Sequence, residues 1–332
     1  MGRSATQARQ SGRRTAKSSI VRPAYGPSVD LGLLAERPFV PPGVRVGRYT
    51  VSCPLIKPSR LTSKRRGGSG KQLSSGWALN FAVGCIHGCI FCYVDSIHKR
   101  YGESRYGSIV RESWGNYLLI PSNMEDAIEK TPWRKWKGEE ILLSSTHDPY
   151  IPQLARITRG ILERALSSGV RFCIQTRSPL VLNDFDLLTK YRDRIRLQVS
   201  IATMDSVFSR LVEPRVASPK VRLNILRRAK KRGIETGVIL GPIFPPLKAR
   251  PDVDDDLETM MTRLKEIEPD NIYGECIHIR GKNISAMEDI MGEAITDLHA
   301  FDLKMKSLFR RKLKEHDLKG TWWPEHMRIR RT

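Results

Sequence analysis

Cys85, Cys89 and Cys92 fall in one short run, Gly84-Cys85-Ile86-His87-Gly88-Cys89-Ile90-Phe91-Cys92-Tyr93, with the spacing Cys-x3-Cys-x2-Cys. Three thiolates at these intervals can ligate three irons of a four-iron cluster and leave the fourth open to a substrate or cofactor. A tight loop can wrap such a cubane, and Gly84 and Gly88 supply backbone freedom where the chain passes close to it. Phe91 stands where its ring can cover the cluster. The alternative is a structural zinc site completed by His87, His98 or His147. Such sites usually carry paired Cys-x2-Cys or His-x3-His units, and here only Cys89 and Cys92 form one. Six cysteines in 332 residues, three of them clustered, with no apolar secretory signal, argue against a disulfide framework and for a reducing, cytoplasmic compartment.

The elements that must position this loop read as alternating strands and helices. Apolar runs predict strands at Trp77–Val83, Ile141–Ser145, Val170–Thr176, Ile195–Ile201, Ile234–Leu240 and Asn271–Ile279. Helical periodicity predicts helices at Leu154–Leu166, 184–191, 219–232 and 255–267, the third opened by Ser218 as cap and Pro219 in its first turn. Six strands with intervening helices imply a parallel α/β sheet, because each strand needs a crossover to return in the same direction. Alternation within the strands sets Phe172 and Ile174 against Arg171, Cys173 and Gln175, and Leu197 and Val199 against Arg196, Gln198 and Ser200. The apolar faces are expected to meet outer helices and the polar faces to line an interior.

The cysteine loop resembles that of the radical S-adenosylmethionine (SAM) superfamily, whose Cys-x3-Cys-x-aromatic-Cys motif holds a 4Fe-4S cluster chelated at its open iron by SAM. Further motifs resemble one branch of it, the spore photoproduct lyase-like or "DNA repair photolyase" group. They are Leu79-Asn80-Phe81-Ala82-Val83-Gly84-Cys85, Ser144-Ser145-Thr146-His147-Asp148-Pro149-Tyr150, Thr176-Arg177-Ser178-Pro179-Leu180, Val199-Ser200-Ile201, Glu213-Pro214-Arg215 with Arg222, and Gly241-Pro242-Ile243-Phe244-Pro245. The resemblance implies a partial (β/α)6 TIM-type barrel with its chemistry at the C-terminal ends of the strands. It implies that Ser145, Thr146, Arg177 and Ser200 hold the carboxylate and ribose of SAM. Where the group commonly has lysine, this chain has Arg177. Glu213 and Arg222 are expected either to contact the cofactor or to brace the barrel mouth as an ion pair. An electron donor such as ferredoxin or flavodoxin is implied as a partner. Spore photoproduct lyases carry a further cysteine between the cluster and the third strand as hydrogen donor. No cysteine lies between Cys92 and Cys173 here, so Cys173 is the candidate donor, with Cys276 as a second thiol on another wall.

Charge supplies the other strong signal. The formal net charge is +22, with a pI near 10.0. Residues 1–72 hold 15 Lys and Arg against 2 Asp and Glu, and residues 302–332 hold 10 against 4, which leaves the 229 residues between nearly neutral. The expected organisation is a disordered basic tail at 1–29, a basic extension at 30–76, the barrel at 77–285 and a helical basic extension at 286–332. Residues 1–29 have no acid and few large apolar residues, so they read as a nucleic-acid-binding tail in preference to a transit peptide. Gly70-Lys71-Gln72 lacks the hydroxyl residue of a P-loop. Such a balance implies a polyanionic partner, RNA or DNA first, and no apolar run is long enough to predict a membrane-spanning helix. Trp133-Arg134-Lys135-Trp136-Lys137 and Trp322-Trp323 with Arg328, Arg330 and Arg331 interleave aromatic and basic residues in the manner of base-stacking surfaces. Radical chemistry on a nucleic-acid base or sugar is the leading expectation. The alternatives are radical chemistry on a peptide and a non-catalytic binding protein with a structural metal.

Overall fold

The computed structural model describes residues 20–21, 29–30, 40–49, 56–60 and 74–323. The expectations for the basic tail at 1–29, for much of the basic extension at 30–76, for Gly70-Lys71-Gln72 and for Arg328, Arg330 and Arg331 therefore lie wholly or largely outside the described residues.

Two sheets organise the chain. The larger runs through strands β4 (Ser59–Arg60), β5 (Trp77–Ala78), β8 (Glu140–Leu143), β9 (Arg171–Thr176), β10 (Ile195–Ser200), β11 (Glu235–Ile243), β12 (Asn271–Cys276) and β13 (Gly320–Trp322). From β5 to β13 every neighbouring pair is parallel, and β4 closes the other edge antiparallel to β5. The sheet is open, a partial barrel with no closing pair among the described residues. The smaller sheet has the order β1 (Ile20–Val21), β2 (Val29–Asp30), β3 (Arg45–Tyr49), β7 (Tyr117–Pro121) and β6 (Val83–Gly84).

Helices α1 (Val94–Tyr101), α2 (Glu103–Tyr106) and α3 (Met124–Lys130) follow the cysteine loop, and α4 (Ala155–Ser167), α5 (Phe185–Lys190), α6 (Ser206–Val212), α7 (Pro219–Lys230) and α8 (Val253–Lys265) fill the crossovers. Beyond β12 come α9 (Asn283–Met291) and α10 (Leu298–Glu315). Capping explains several boundaries: the Ser218 side chain accepts from Val221 N, and Asp252 accepts from Asp255 N at 2.8 Å. Ile161, Leu162, Ala165 and Leu166 of α4 join Phe172, Ile174, Leu197 and Val199 in one continuous core. The outer face of the sheet is thus the apolar one, as alternation predicts. On the inner face, Gln175 and Ser200 line a cavity at the C-terminal ends of the strands.

Two findings correct the sequence-based outline. The predicted strand Trp77–Val83 is two strands in different sheets. Ala78 pairs with Leu142, and the chain then crosses over at Asn80, whose side chain binds Ser145 N at 2.9 Å, so Val83 pairs with Leu119 instead. The second addition is β13, which extends the parallel sheet by pairing Gly274 with Trp322.

Candidate active site

The cysteine loop leaves β6, whose antiparallel partner β7 fixes its take-off. Gly84 has φ +90°, and a Cβ there would run into the Tyr117 carbonyl, so only glycine fits. Gly88 has φ +63° and lies against Gly115, where an added Cβ would come within 2.6 Å of Gly88 Cα. Arg215 pins this turn from below: Nη1 donates to Gly115 O (2.6 Å) and Ile86 O (3.2 Å), and Nη2 to Asn116 Oδ1 (3.0 Å). Ile90 N donates to Val212 O at 3.1 Å, tying the loop to α6. Phe91 packs edge-on to Phe244 and faces the Arg177 guanidinium, 5.9 Å from its ring centroid.

All three thiols of the loop face one cavity of about 290 Å³, near the small end of ligand pockets. Cys85 and Cys89 are buried and Cys92 is half-buried. Burial pushes the Cys85 and Cys92 thiols up to about 12 and Cys89 higher still, and each is raised further by another thiol of the set. Iron charge at this point would convert them to thiolates. Among the described residues no three His, Cys, Asp or Glu side chains converge on a point suited to a single ion. Of the candidate zinc histidines, His87 and His147 line the same cavity as the thiols and His98 does not. His98 Nδ1 shares a hydrogen bond with Tyr117 OH at 3.0 Å, and His87 Nδ1 lies 3.6 Å from Asp148. His147 packs on Phe81. Three thiols around one void suit a cubane, which keeps its ligands apart by its own width, better than a mononuclear site.

Ser145, Thr146, Arg177 and Ser200 all line the same cavity. Ser145 is held by Asn80 and by Tyr93 OH, which donates to Ser145 O at 2.8 Å. Ser200 Oγ accepts from Gln175 Nε2 at 3.3 Å. Arg177 donates through Nε to Glu213 at 2.9 Å, which leaves its terminal nitrogens for the cavity side. Burial works against that charge, but Cys89 and Glu213 outweigh it. Glu213 and Arg222 sit behind this wall and do not line the cavity. Arg222, fully buried, donates to both Glu213 oxygens (3.1 and 2.5 Å), to Ser200 O (2.8 Å) and to Ser209 Oγ (3.0 Å). Burial raises the Glu213 carboxyl, and Arg222 and Arg177 more than reverse this, holding it below its ordinary range. These contacts make the pair a brace between α6, α7 and β10.

Cys173 is placed apart from this group. It is fully buried at the foot of the sheet among Ala78 and Leu142, opposite Arg196 in the register, and is absent from the cavity wall. Burial lifts its thiol to about 12. Cys276 lies at the cavity but joins the outer core cluster, with Asp302 of α10 close to its thiol. The expected stacking surfaces need correction as well. Trp133 and Trp136 are buried, Trp133 Nε1 donating to Ile128 O at 2.9 Å, so apolar packing has claimed both rings. Trp322 packs against Phe309, and Trp323 lines the cavity.

Three residues went without a role in the sequence reading. Asp148 accepts from Tyr150 N (2.8 Å), Thr176 Oγ1 (2.7 Å) and Arg177 N (2.6 Å), locking the loop after β8 to the end of β9. Arg215 clamps the cysteine loop. Both stand inside the quoted motifs, which were the available signal. Glu275 on β12 lines the cavity beside Arg280 and lies in no such motif.

Comparison with known proteins agrees with this geometry. The sequence profile of the Radical SAM superfamily matches residues 79–260. The chain is 51% identical over 282 residues to the uncharacterized protein ORF301 of Acidianus two-tailed virus, covering 85% of this chain and 94% of that one. It is 29% identical to the uncharacterized protein MJ0683 of Methanocaldococcus jannaschii over 52% of this chain and 61% of that protein. Among solved structures, the fold is similar to spore photoproduct lyase mutants: one with dinucleoside spore photoproduct (TM-score 0.56, 14% identity, 83% of this chain and 80% of that one), and one with bound AdoMet and the same dinucleoside (0.55, 15%, 74% and 76%). A cysteine-lined cavity at the C-terminal ends of a partial parallel barrel, joined to a profile match over more than half its length, makes this chain a member of the radical SAM superfamily, whose enzymes use a 4Fe-4S cluster and SAM.

Proposed function

We propose that this radical SAM enzyme modifies or repairs a base or sugar of nucleic acid, with Cys85, Cys89 and Cys92 as cluster ligands. These three thiolates would hold a 4Fe-4S cluster, and the cluster together with SAM would supply radical hydrogen-abstraction chemistry at the cavity. The chain's own contribution is positioning. Arg177, aimed by Glu213, offers a fixed cation to a carboxylate, and Ser145, Thr146 and Ser200 offer hydroxyl donors around it. Phe91 and Phe244, both buried, pack edge-on beside the loop, where their rings would exclude water from it. An external one-electron donor, such as a ferredoxin or flavodoxin, is part of the proposal.

The observation that carries the substrate reading is the charge distribution: a nearly neutral body flanked by a strongly basic N-terminal segment and a basic C-terminal one. Basic flanks can hold a polyanion across the cavity mouth. The similarity in fold to spore photoproduct lyase structures that hold a dinucleoside ligand favours the same class. Binding of RNA, DNA and an acidic peptide across a salt series tests it. Nucleic-acid affinity should fall steeply and log-linearly with salt, at about 0.7 to 0.9 per phosphate contact. Tighter and specific binding of the acidic peptide would place the chemistry on a protein substrate.

A further inference from the structure

Three carboxyl groups stand at or behind the cavity, and their surroundings differ: Asp148 is held by Tyr150 N, Thr176 Oγ1 and Arg177 N. Glu213 is saturated by two arginines. Glu275 is not. Along β12, Gly274 packs outward on Trp322 and Phe309 and Cys276 joins the outer core, so alternation turns Tyr273 and Glu275 inward. The Glu275 carboxyl makes no hydrogen bond among the described residues. Its nearest basic groups are Arg280 Nη2 at 3.5 Å and His278 Nε2 at 3.6 Å, both on the segment following β12, and burial lowers the His278 imidazole below its ordinary range so that it stays neutral near pH 7. Asp302 of α10 adds negative charge, Tyr93 faces it from the cysteine loop, and the β11 residues at the cavity, Ile239, Gly241 and Pro242, carry no charge. Burial lifts the carboxyl to about 7, and Arg280 only partly opposes this. Beside it the Arg280 guanidinium lies 5.0 Å from the centre of the Tyr93 ring.

A neutral carboxyl presents one donor and one acceptor in a plane, the complement of the paired donor and acceptor groups along a nucleobase edge. An arginine–tyrosine stack beside it is a platform on which a base can lie. A chemical step on a base or sugar at the foot of a cavity requires the nucleotide to leave its stack and enter. We propose that Glu275, with the Arg280–Tyr93 stack beside it, reads the base edge of a nucleotide extruded into the cavity. This assignment rests on the nucleic-acid reading above.

The test uses reconstituted holoenzyme with SAM and fluorescein-labelled single-stranded oligonucleotides, intact or with one central abasic site, on either side of pH 7. Wild type should bind the intact strand more tightly than the abasic one. That preference should fall by up to about tenfold per pH unit once the carboxyl ionises. Glu275→Gln keeps a donor and an acceptor without titrating, so its preference should persist at high pH. Glu275→Ala should lose the preference by about tenfold at all pH values while still binding strands through the basic flanks. Thermal melting separates misfolding from lost reading: Glu275→Gln should melt higher than wild type above pH 7, where the native carboxylate is poorly solvated, and the difference should shrink as pH falls. Wild type that binds no strand overturns the nucleic-acid reading and this inference with it. Wild type that binds, with Glu275→Gln sharing its pH profile or Glu275→Ala keeping the preference, overturns the inference alone.

Discussion

At the scale of single residues the site divides into groups that face the cavity and groups that hold them there. Arg222 belongs to the second kind, since every hydrogen bond it makes is internal. Replacing it with Ala leaves Glu213 in a dry environment with Arg177 as its remaining cation and a long hydrogen bond from Ser209 Oγ (3.4 Å). The expected cost is about 3–5 kcal/mol by denaturant unfolding. The sign with pH follows from the depressed Glu213 carboxyl: its stabilisation is full above the ordinary glutamate range and is lost as pH falls through the folded-state value. The wild-type advantage over Arg222→Ala should therefore shrink on acidification, and a constant gap across pH would mean that the pair is not the source of the loss. That the cysteine loop, Arg177, Ser145, Thr146 and Ser200 would gather at one cavity was legible in the sequence, because each sits in a compact motif at a strand end. Cys173 was a harder case. Alternation gave its face correctly but not its height, and height decides whether a thiol meets the cavity or the foot of the sheet. Glu275 escaped notice because a lone acid in a strand carries no signal until the fold shows what surrounds it.

At the scale of elements, periodicity carried most of the reading. Helices α4, α7 and α8 and strands β8 to β12 all fall within a few residues of the positions predicted by apolar spacing and caps. The crossover at Asn80 was not legible, because Trp77 to Val83 is apolar enough to pass for one strand and only long-range pairing divides it. The smaller sheet was missed for a similar reason. Its strands come from distant parts of the chain, and Tyr117–Pro121, buried throughout, has no alternation to reveal it. This sheet sets the take-off of the cysteine loop, so Gly84→Ala should be costly. The added Cβ meets backbone oxygen, and the positive φ adds about 1–2 kcal/mol of strain. Reconstituted Gly84→Ala should retain clearly less iron and acid-labile sulfide than wild type, and equal loading would show that the loop tolerates another path.

At the scale of the whole molecule, the proposed function rests on the contrast between a nearly neutral body and basic flanks. The contrast is wholly a sequence observation, since charge can be counted without a fold. What it acts on cannot be counted in the same way, because a polyanion leaves no mark on the periodicity of the chain that binds it. Deleting residues 1–29 should weaken nucleic-acid binding and flatten its salt dependence, while uncoupled formation of 5'-deoxyadenosine continues. Unchanged binding at every salt concentration would remove that segment from substrate capture. The most direct test of the central claim is mass analysis of nucleosides, digested from cellular RNA and DNA after anaerobic incubation with reconstituted enzyme, SAM and reductant. The account predicts a nucleoside of altered mass that accumulates with wild type and is absent with Cys89→Ala. Abundant 5'-deoxyadenosine with every nucleoside of RNA and DNA unchanged would contradict it.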